Sequence, residues 1–119
     1  PLIDPDDATW VEIDERNFIR SIGKGIANYN AVDCGAFLAT PELQRAISAA
    51  IKAGRSGSLS DGMQYLADRG RAATMDIGDA WWLDVDDPAA HSLAEADVAQ
   101  YLGHIYADEA YAGSTALRC

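Results

Sequence analysis

The sequence predicts an α/β domain in which strands and helices alternate, and three observations lead there. Apolar runs of strand length recur at Thr9 to Ile13, Phe18 to Ile22, Val32 to Ala39, Ala72 to Ile77 and Ala80 to Val85. Among and after them come segments of helical period, opened by hydroxyl or proline signals and closed by glycine. A hydrophobic content of 49% with 24% charged residues over 119 positions is that of one modest globule with enough apolar side chains for a core.

Each element has its own local reason. The first two runs flank Asp14-Glu15-Arg16-Asn17, a polar four-residue segment suited to a hairpin turn. A glycine-rich stretch, Gly23-Lys24-Gly25, follows. The run from Val32 to Ala39 ends in Thr40-Pro41-Glu42, an N-cap with proline at the first helical position. The spacing predicts a helix from Pro41 to Ala53, with Leu43, Ala46, Ile47, Ala50 and Ile51 on one face and Gly54 as its stop.

Gly54-Arg55-Ser56-Gly57-Ser58 reads as a flexible loop. Ser60 is the expected N-cap of a helix that carries Met63, Leu66 and Ala67 and closes at Gly70. Two further strands joined at Gly78-Asp79 are expected next, then a final helix from Pro88 through Leu93, Ala96, Val98, Tyr101, Leu102 and Ile105. One domain over residues 1–112 is expected, with Gly113 to Cys119 as a frayed tail. There is no internal repeat and no low-complexity segment.

Charge and cysteine usage exclude several functions. The net charge is -10, and the nine Lys and Arg residues form no run, so no surface for nucleic acid is expected. No stretch approaches the length of a membrane span. Cys34 and Cys119 make neither a disulfide framework nor a zinc spacing, which fits a reducing cytoplasm. The chain starts at Pro1, with no charged segment followed by an apolar one, so no secretory signal is visible and the chain is expected to begin inside a longer polypeptide or to have been processed.

Chemistry concentrates in Trp81-Trp82-Leu83-Asp84-Val85-Asp86-Asp87-Pro88. On a strand, Asp84 and Asp86 would share a face while Leu83 and Val85 packed the other. Two neighbouring carboxylates repel, and a hard cation with oxygen ligands such as Mg²⁺ relieves the repulsion. Asp87, just before Pro88, suits an N-cap. The plainer reading makes all three acids solvated loop and cap residues. Trp81 and Trp82 read as core and rim packing, and His91 and His104 as surface residues of the last helix.

Several motifs, in order, carry a resemblance. Ile22-Gly23-Lys24, the run from Tyr29-Asn30 through Asp33-Cys34-Gly35 to Phe37-Leu38, Ser58-Leu59-Ser60-Asp61-Gly62, Asp76-Ile77 and Trp82 to Pro88 resemble the C-terminal half of sugar-phosphate-type nucleotidyltransferases. Within that group the pattern is that of the inositol-phosphate cytidylyltransferases, and it covers roughly Asp6 to Asp97. The resemblance implies a partial Rossmann-like fold, a mixed and mostly parallel sheet with flanking helices. It implies a reaction that joins a nucleoside triphosphate, CTP, to a phosphorylated polyol or sugar and releases pyrophosphate.

It also implies site residues. Asp86 first and Asp84 second match the acidic segment that holds Mg²⁺. Lys24 matches a lysine that approaches the acceptor's phosphate, and Asp33 a position that contacts its hydroxyls. Gly35 leaves room for ligand beside the strand, and Ser60-Asp61 match another acceptor-contacting corner. Read from the residues alone, a solvated turn lysine is the favoured account of Lys24, Asp33 is a strand-edge acid inside an apolar run, and Ser60-Asp61 are equally a helix cap with a first-turn acid.

The chain departs from the family pattern at Trp10, where lysine is common, and at Cys34 and Asp87, where threonine is common. The glycine-rich nucleotide loop and the other metal-binding acid would lie before Pro1. Two functions from different classes are therefore expected: the acceptor-binding, metal-completing part of a cytidylyltransferase, inactive in isolation, or a non-catalytic binding module derived from that fold. Half a sheet would expose an unpaired edge, so self-association or pairing with the missing N-terminal half is expected.

Overall fold

The computed structural model describes residues 5–111, so the expected tail from Gly113 to Cys119 lies outside the described residues. The elements run β1 (Trp10–Ile13), β2 (Ile19–Gly23), β3 (Ala31–Val32), α1 (Pro41–Lys52), α2 (Leu59–Ala67) and α3 (Pro88–Tyr111). The chain divides into two compact units, residues 1–82 and residues 83–119.

The expected hairpin forms. Asp14 organises its turn: the Oδ1 carboxylate oxygen accepts from the backbone N–H groups of Arg16 and Phe18, each at 2.9 Å, while Asn17 takes a left-handed φ of 63°. Asparagine tolerates that conformation better than most residues. Pairing runs Trp10 to Gly23, Val11 to Ile22, Glu12 to Ser21 and then Ile13 to Ile19, so Arg20 is an extra residue on β2. This bulge decides the core. Without it, Ile19 and Ile22 would point to opposite faces of the sheet; with it, both are buried beside Val11 and Ala72.

α2 covers that face with Met63, Leu66 and Ala67. Burying each of Val11, Ile19 and Ile22 is worth about 1.5 to 3 kcal/mol. Gln64 ties the helix to the outer edge of β2: its Oε1 accepts from Ile22 N–H at 2.9 Å and its Nε2 donates to the Arg20 carbonyl at 3.1 Å. Just beyond, Ile19 N–H donates to the Ala72 carbonyl at 2.9 Å and Phe18 bridges Ala73.

The sheet is antiparallel, in the order β2-β1-β3, and this corrects the expectation of a mostly parallel sheet. A parallel pair needs a long crossover, usually a helix. Here β1 and β2 are joined by a tight turn, and α1 and α2 come after β3 and lead to no further strand among the described residues. The mixture of strand and helix is as expected, and it is consistent with part of a nucleotidyltransferase fold.

Three of the five expected strands need correction. The run from Val32 to Ala39 is a strand only at Ala31–Val32, because the Asp33 side chain captures Gly35 N–H at 2.7 Å and Gly35 turns at φ 76°. Ala72 to Ile77 amounts to the single bridge at Ala73, and Ala80 to Val85 is no strand at all. Asp76 captures Gly78 N–H at 2.8 Å and Gly78 takes φ 59°, so the chain turns away. Apolar periodicity cannot supply the neighbouring backbone that a ladder requires.

The helices follow their signals more closely. α1 starts at Pro41 after an extended Thr40 and buries Leu43, Ala46 and Ala50, while Ile51 stays exposed. Gly54 ends it at φ 84°, with Gly54 N–H bonded to the Ile51 carbonyl and Arg55 N–H to the Ala50 carbonyl. Gly70 closes α2 in the same way through the Ala67 and Leu66 carbonyls.

In the second unit, Asp87 Oδ1 accepts from Ala90 N–H at 2.7 Å, which is the expected cap of α3. Leu93, Val98, Tyr101 and Leu102 on this helix are exposed. No described helix is long and apolar enough to cross a membrane.

α1 and α2 meet closely at Gly62, where a Cβ would collide with Ile47 and come within 3.1 Å of Leu43. Gly62→Val should cost about 1 to 3 kcal/mol by overpacking, measured by denaturant unfolding. Gln64→Ala should cost about 1 to 2 kcal/mol, since it strips partners from two backbone groups of β2. An unchanged midpoint in the second variant would show that water replaces the amide without loss.

Candidate functional site

Sheet register places the expected acceptor residues. Trp10 on the central strand pairs with Gly23 on one side and Val32 on the other. Lys24 and Asp33 therefore leave the sheet one step further on, flanking Thr9, and Asp33 N–H donates to the Thr9 carbonyl at 2.9 Å. Lys24 is exposed and forms an ion pair with Asp7. Nothing about Asp7 in the sequence marked it for this, because the pairing depends on β1 and β2 lying side by side.

The segment after β3 is held from a second direction. The Trp82 indole N–H donates to the Cys34 carbonyl at 2.8 Å, which fastens the chain beside Asp33 and Gly35. Trp82 is thus an anchor through its indole N–H, a role beyond the core and rim packing expected of it. Trp81 is 43% exposed.

Ser60 and Asp61 play different parts in α2. The expected cap at Ser60 is wrong by two residues. Ser58 is the N-cap: its hydroxyl accepts from Asp61 N–H at 3.1 Å, and an Asp61 carboxylate oxygen accepts from Ser58 N–H at 3.4 Å. The acid that completes a capping box stands three residues after its serine, and only Ser58 has that spacing to Asp61. Ser60 lies inside the first turn.

Asp61 also accepts from the Ser56 hydroxyl at 2.6 Å and Gly57 N–H at 3.1 Å, and Arg55 lies 3.7 Å away. The Ser56 hydroxyl is the largest cause holding the Asp61 carboxyl below its ordinary value, partial burial opposes it, and the Gly57 and Ser58 donors add to the lowering. Asp14 is lowered in the same way, first by Phe18 N–H and then by Arg16 N–H.

α2 runs antiparallel to β2, since Gln64 meets Ile22 and Arg20 while Ala72 meets Ile19. Ser58 to Asp61 therefore lie toward the Gly23 end of the strand, the end from which Lys24 departs. In the second unit, Asp84 and Asp86 do not share a strand face, because no strand forms there. Their carboxylates nevertheless each place an oxygen within 4.8 Å of the other, both exposed. Such a pair has the charge and the hard oxygen donors that suit a divalent cation. His91 is exposed, 3.9 Å from Glu95. The side chain of His104 lies outside the described residues.

One feature of this end was missed in the sequence: Trp10 stacks on Tyr29, with ring centroids 4.3 Å apart and planes at 28°. The signal was an aromatic residue at the start of a short strand, but its partner is nineteen positions away by numbering and found only in three dimensions.

No protein-family model and no curated protein matches the chain. A solved structure does: the inositol-1-phosphate CTP transferase from T. maritima, at 34% identity and a TM-score of 0.60, over 75% of this chain and 36% of that one. The chain resembles a cytidylyltransferase-like nucleotidyltransferase in both sequence and fold. The likeness read from the motifs between Ile22 and Pro88 is borne out by a comparison of structures. The chain spans about a third of the length of the structure it matches.

A test of the Asp61 cap follows from the direction of its shift. A carboxyl lowered on folding stabilises the folded state in full above its ordinary value of 3.8 and loses that contribution as pH falls through the lower folded value. As pH falls below about 4, the thermal midpoint of the unsubstituted chain should therefore fall more steeply than that of Asp61→Asn. Parallel acid profiles would remove the ionised Asp61 from the capping of α2.

Proposed function

We propose that this chain is the acceptor-binding and metal-completing part of a nucleotidyltransferase, the C-terminal portion of the domain, which transfers CMP from CTP to a phosphorylated polyol or sugar. The observation that carries the proposal is the register of the three strands. It brings Lys24 and Asp33 out at the same end of the sheet, on either side of Thr9, in a chain 34% identical to an inositol-1-phosphate CTP transferase over the matched region.

The roles follow from chemistry. Lys24 offers an ammonium to the acceptor's phosphate, and the glycine on each side of it leaves backbone room for an anion. Its ion pair with Asp7 is exposed at both ends, a kind worth about 0 to 1 kcal/mol, so a phosphate can exchange for the carboxylate at little cost. Asp33 presents a carboxylate to ring hydroxyls, and Gly35, with no side chain, keeps that edge open. Ser60 and the cap around Asp61 shape the neighbouring corner.

In the transfer itself an oxygen of the acceptor's phosphate attacks the α-phosphorus of CTP. The bond between that phosphorus and the bridging oxygen breaks, and pyrophosphate leaves with the electron pair. No protein nucleophile is needed, and the work of this chain is positioning. Asp86 and Asp84 are the residues that would hold Mg²⁺. The ion would supply charge neutralisation for the phosphates when bound.

The reading is tested by calorimetric titration. Inositol phosphate should bind saturably, and Lys24→Ala should abolish the heat. Mg²⁺ should bind separately, and Asp86→Ala should weaken it more than Asp84→Ala does. In an assay of CTP turnover by the complete polypeptide, Asp86→Ala should cut the rate by about two orders of magnitude while leaving the fold intact. Full activity in that variant would take Asp86 out of the metal site, and no binding of inositol phosphate would favour a non-catalytic module.

A further inference from the structure

Trp10 and Tyr29 take no part in the transfer as argued above, yet they stand beside its acceptor residues. Val11 points into the core with Ile19 and Ile22, so Trp10, its neighbour on the central strand, points to the other face of the sheet. There its ring stacks on Tyr29, and its indole N–H donates to the Pro5 carbonyl at 3.3 Å. The indole is thereby held in one orientation from two directions.

The pair is not buried. Tyr29 is 52% exposed and Trp10 half-buried, so two aromatic rings sit against solvent, a costly arrangement for side chains whose burial is among the most favourable. Trp10's partner across β2 is Gly23, which has no side chain, and a Cβ there would meet only Ile26 at 3.7 Å. On the side that leads to Lys24, the strand therefore sets no side chain of its own beside the indole, and Ile26 is the neighbour there. Across β3, the next residue is Asp33.

An aromatic face carries partial negative charge and attracts the weakly positive C–H bonds of a saturated ring, while hydroxyls at the rim of that ring remain free for polar partners. We infer that Trp10 and Tyr29 form a stacking wall for the C–H face of a cyclic polyol phosphate, with Asp33 at its hydroxyls and Lys24 at its phosphate. The inference rests on the acceptor-binding role proposed above and deepens it. It makes the aromatic pair the element that selects cyclic over acyclic acceptors.

Calorimetric titration with inositol phosphate and with glycerol phosphate, an acyclic comparison, tests this. Tyr29→Ala, at an exposed loop position, and Trp10→Ala should each weaken inositol phosphate roughly tenfold and leave glycerol phosphate unchanged, whereas Tyr29→Phe, which keeps the ring, should bind as the unsubstituted chain does. Circular dichroism checks each fold, and Tyr29→Ala decides the matter if Trp10→Ala does not fold. Unchanged inositol phosphate affinity in Tyr29→Ala would overturn the stacking wall and leave the acceptor-binding role standing. An equal loss for both ligands would also overturn it, by making the pair merely structural. If the unsubstituted chain binds neither ligand, the wall and the acceptor-binding role fall together.

Discussion

Arg20, the extra residue on β2, is the constraint on which the rest of the first unit depends. By shifting the alternation of side chains it turns Ile19 and Ile22 to one face, and only a face carrying both can be covered by Met63, Leu66 and Ala67 of α2. As an edge strand, β2 also carries backbone groups that need partners. Gln64 supplies one donor and one acceptor from the same amide, so the helix that closes the core also seals the strand's edge. Packing and polar satisfaction are met by one contact surface.

That surface sets the geometry of the end of the sheet where Lys24 and Asp33 emerge. Because α2 is fastened along β2 in antiparallel sense, its capped N-terminus lies toward the end from which Lys24 departs. Because β1 is the central strand, Lys24 and Asp33 emerge on its two sides. The Trp82 indole then holds the segment after Asp33 against drift. In the transfer proposed above the work of this chain is positioning, and the placement of Lys24 and Asp33 descends from the register of the sheet.

Local polar captures explain where strand formation stops. Asp33 and Asp76 each take the N–H of a glycine two residues on, and Asp14 does the same office for its own turn. Such captures compete directly with ladder formation, since the side-chain acceptor is always at hand and a neighbouring strand is not. The exposed Leu38, Met75 and Ile77 lie in the segments that these turns release from the sheet.

By itself the sequence determined the features whose causes are local. The Asp14 to Asn17 hairpin, the Pro41 start and Gly54 stop of α1, the Gly70 close of α2 and the Asp87 cap at Pro88 all arise between residues a few positions apart, and all are legible as motifs. The resemblance carried by Ile22 to Pro88 was legible for a related reason, as several short motifs in order. The Ser58 cap was legible too, three residues before Asp61, but a second serine obscured it. Tertiary structure alone decided the direction of the sheet, the Lys24 pairing with Asp7 and the stack of Trp10 on Tyr29. Each of these depends on which distant backbone or side chain arrives alongside, and periodicity carries no information about the partner.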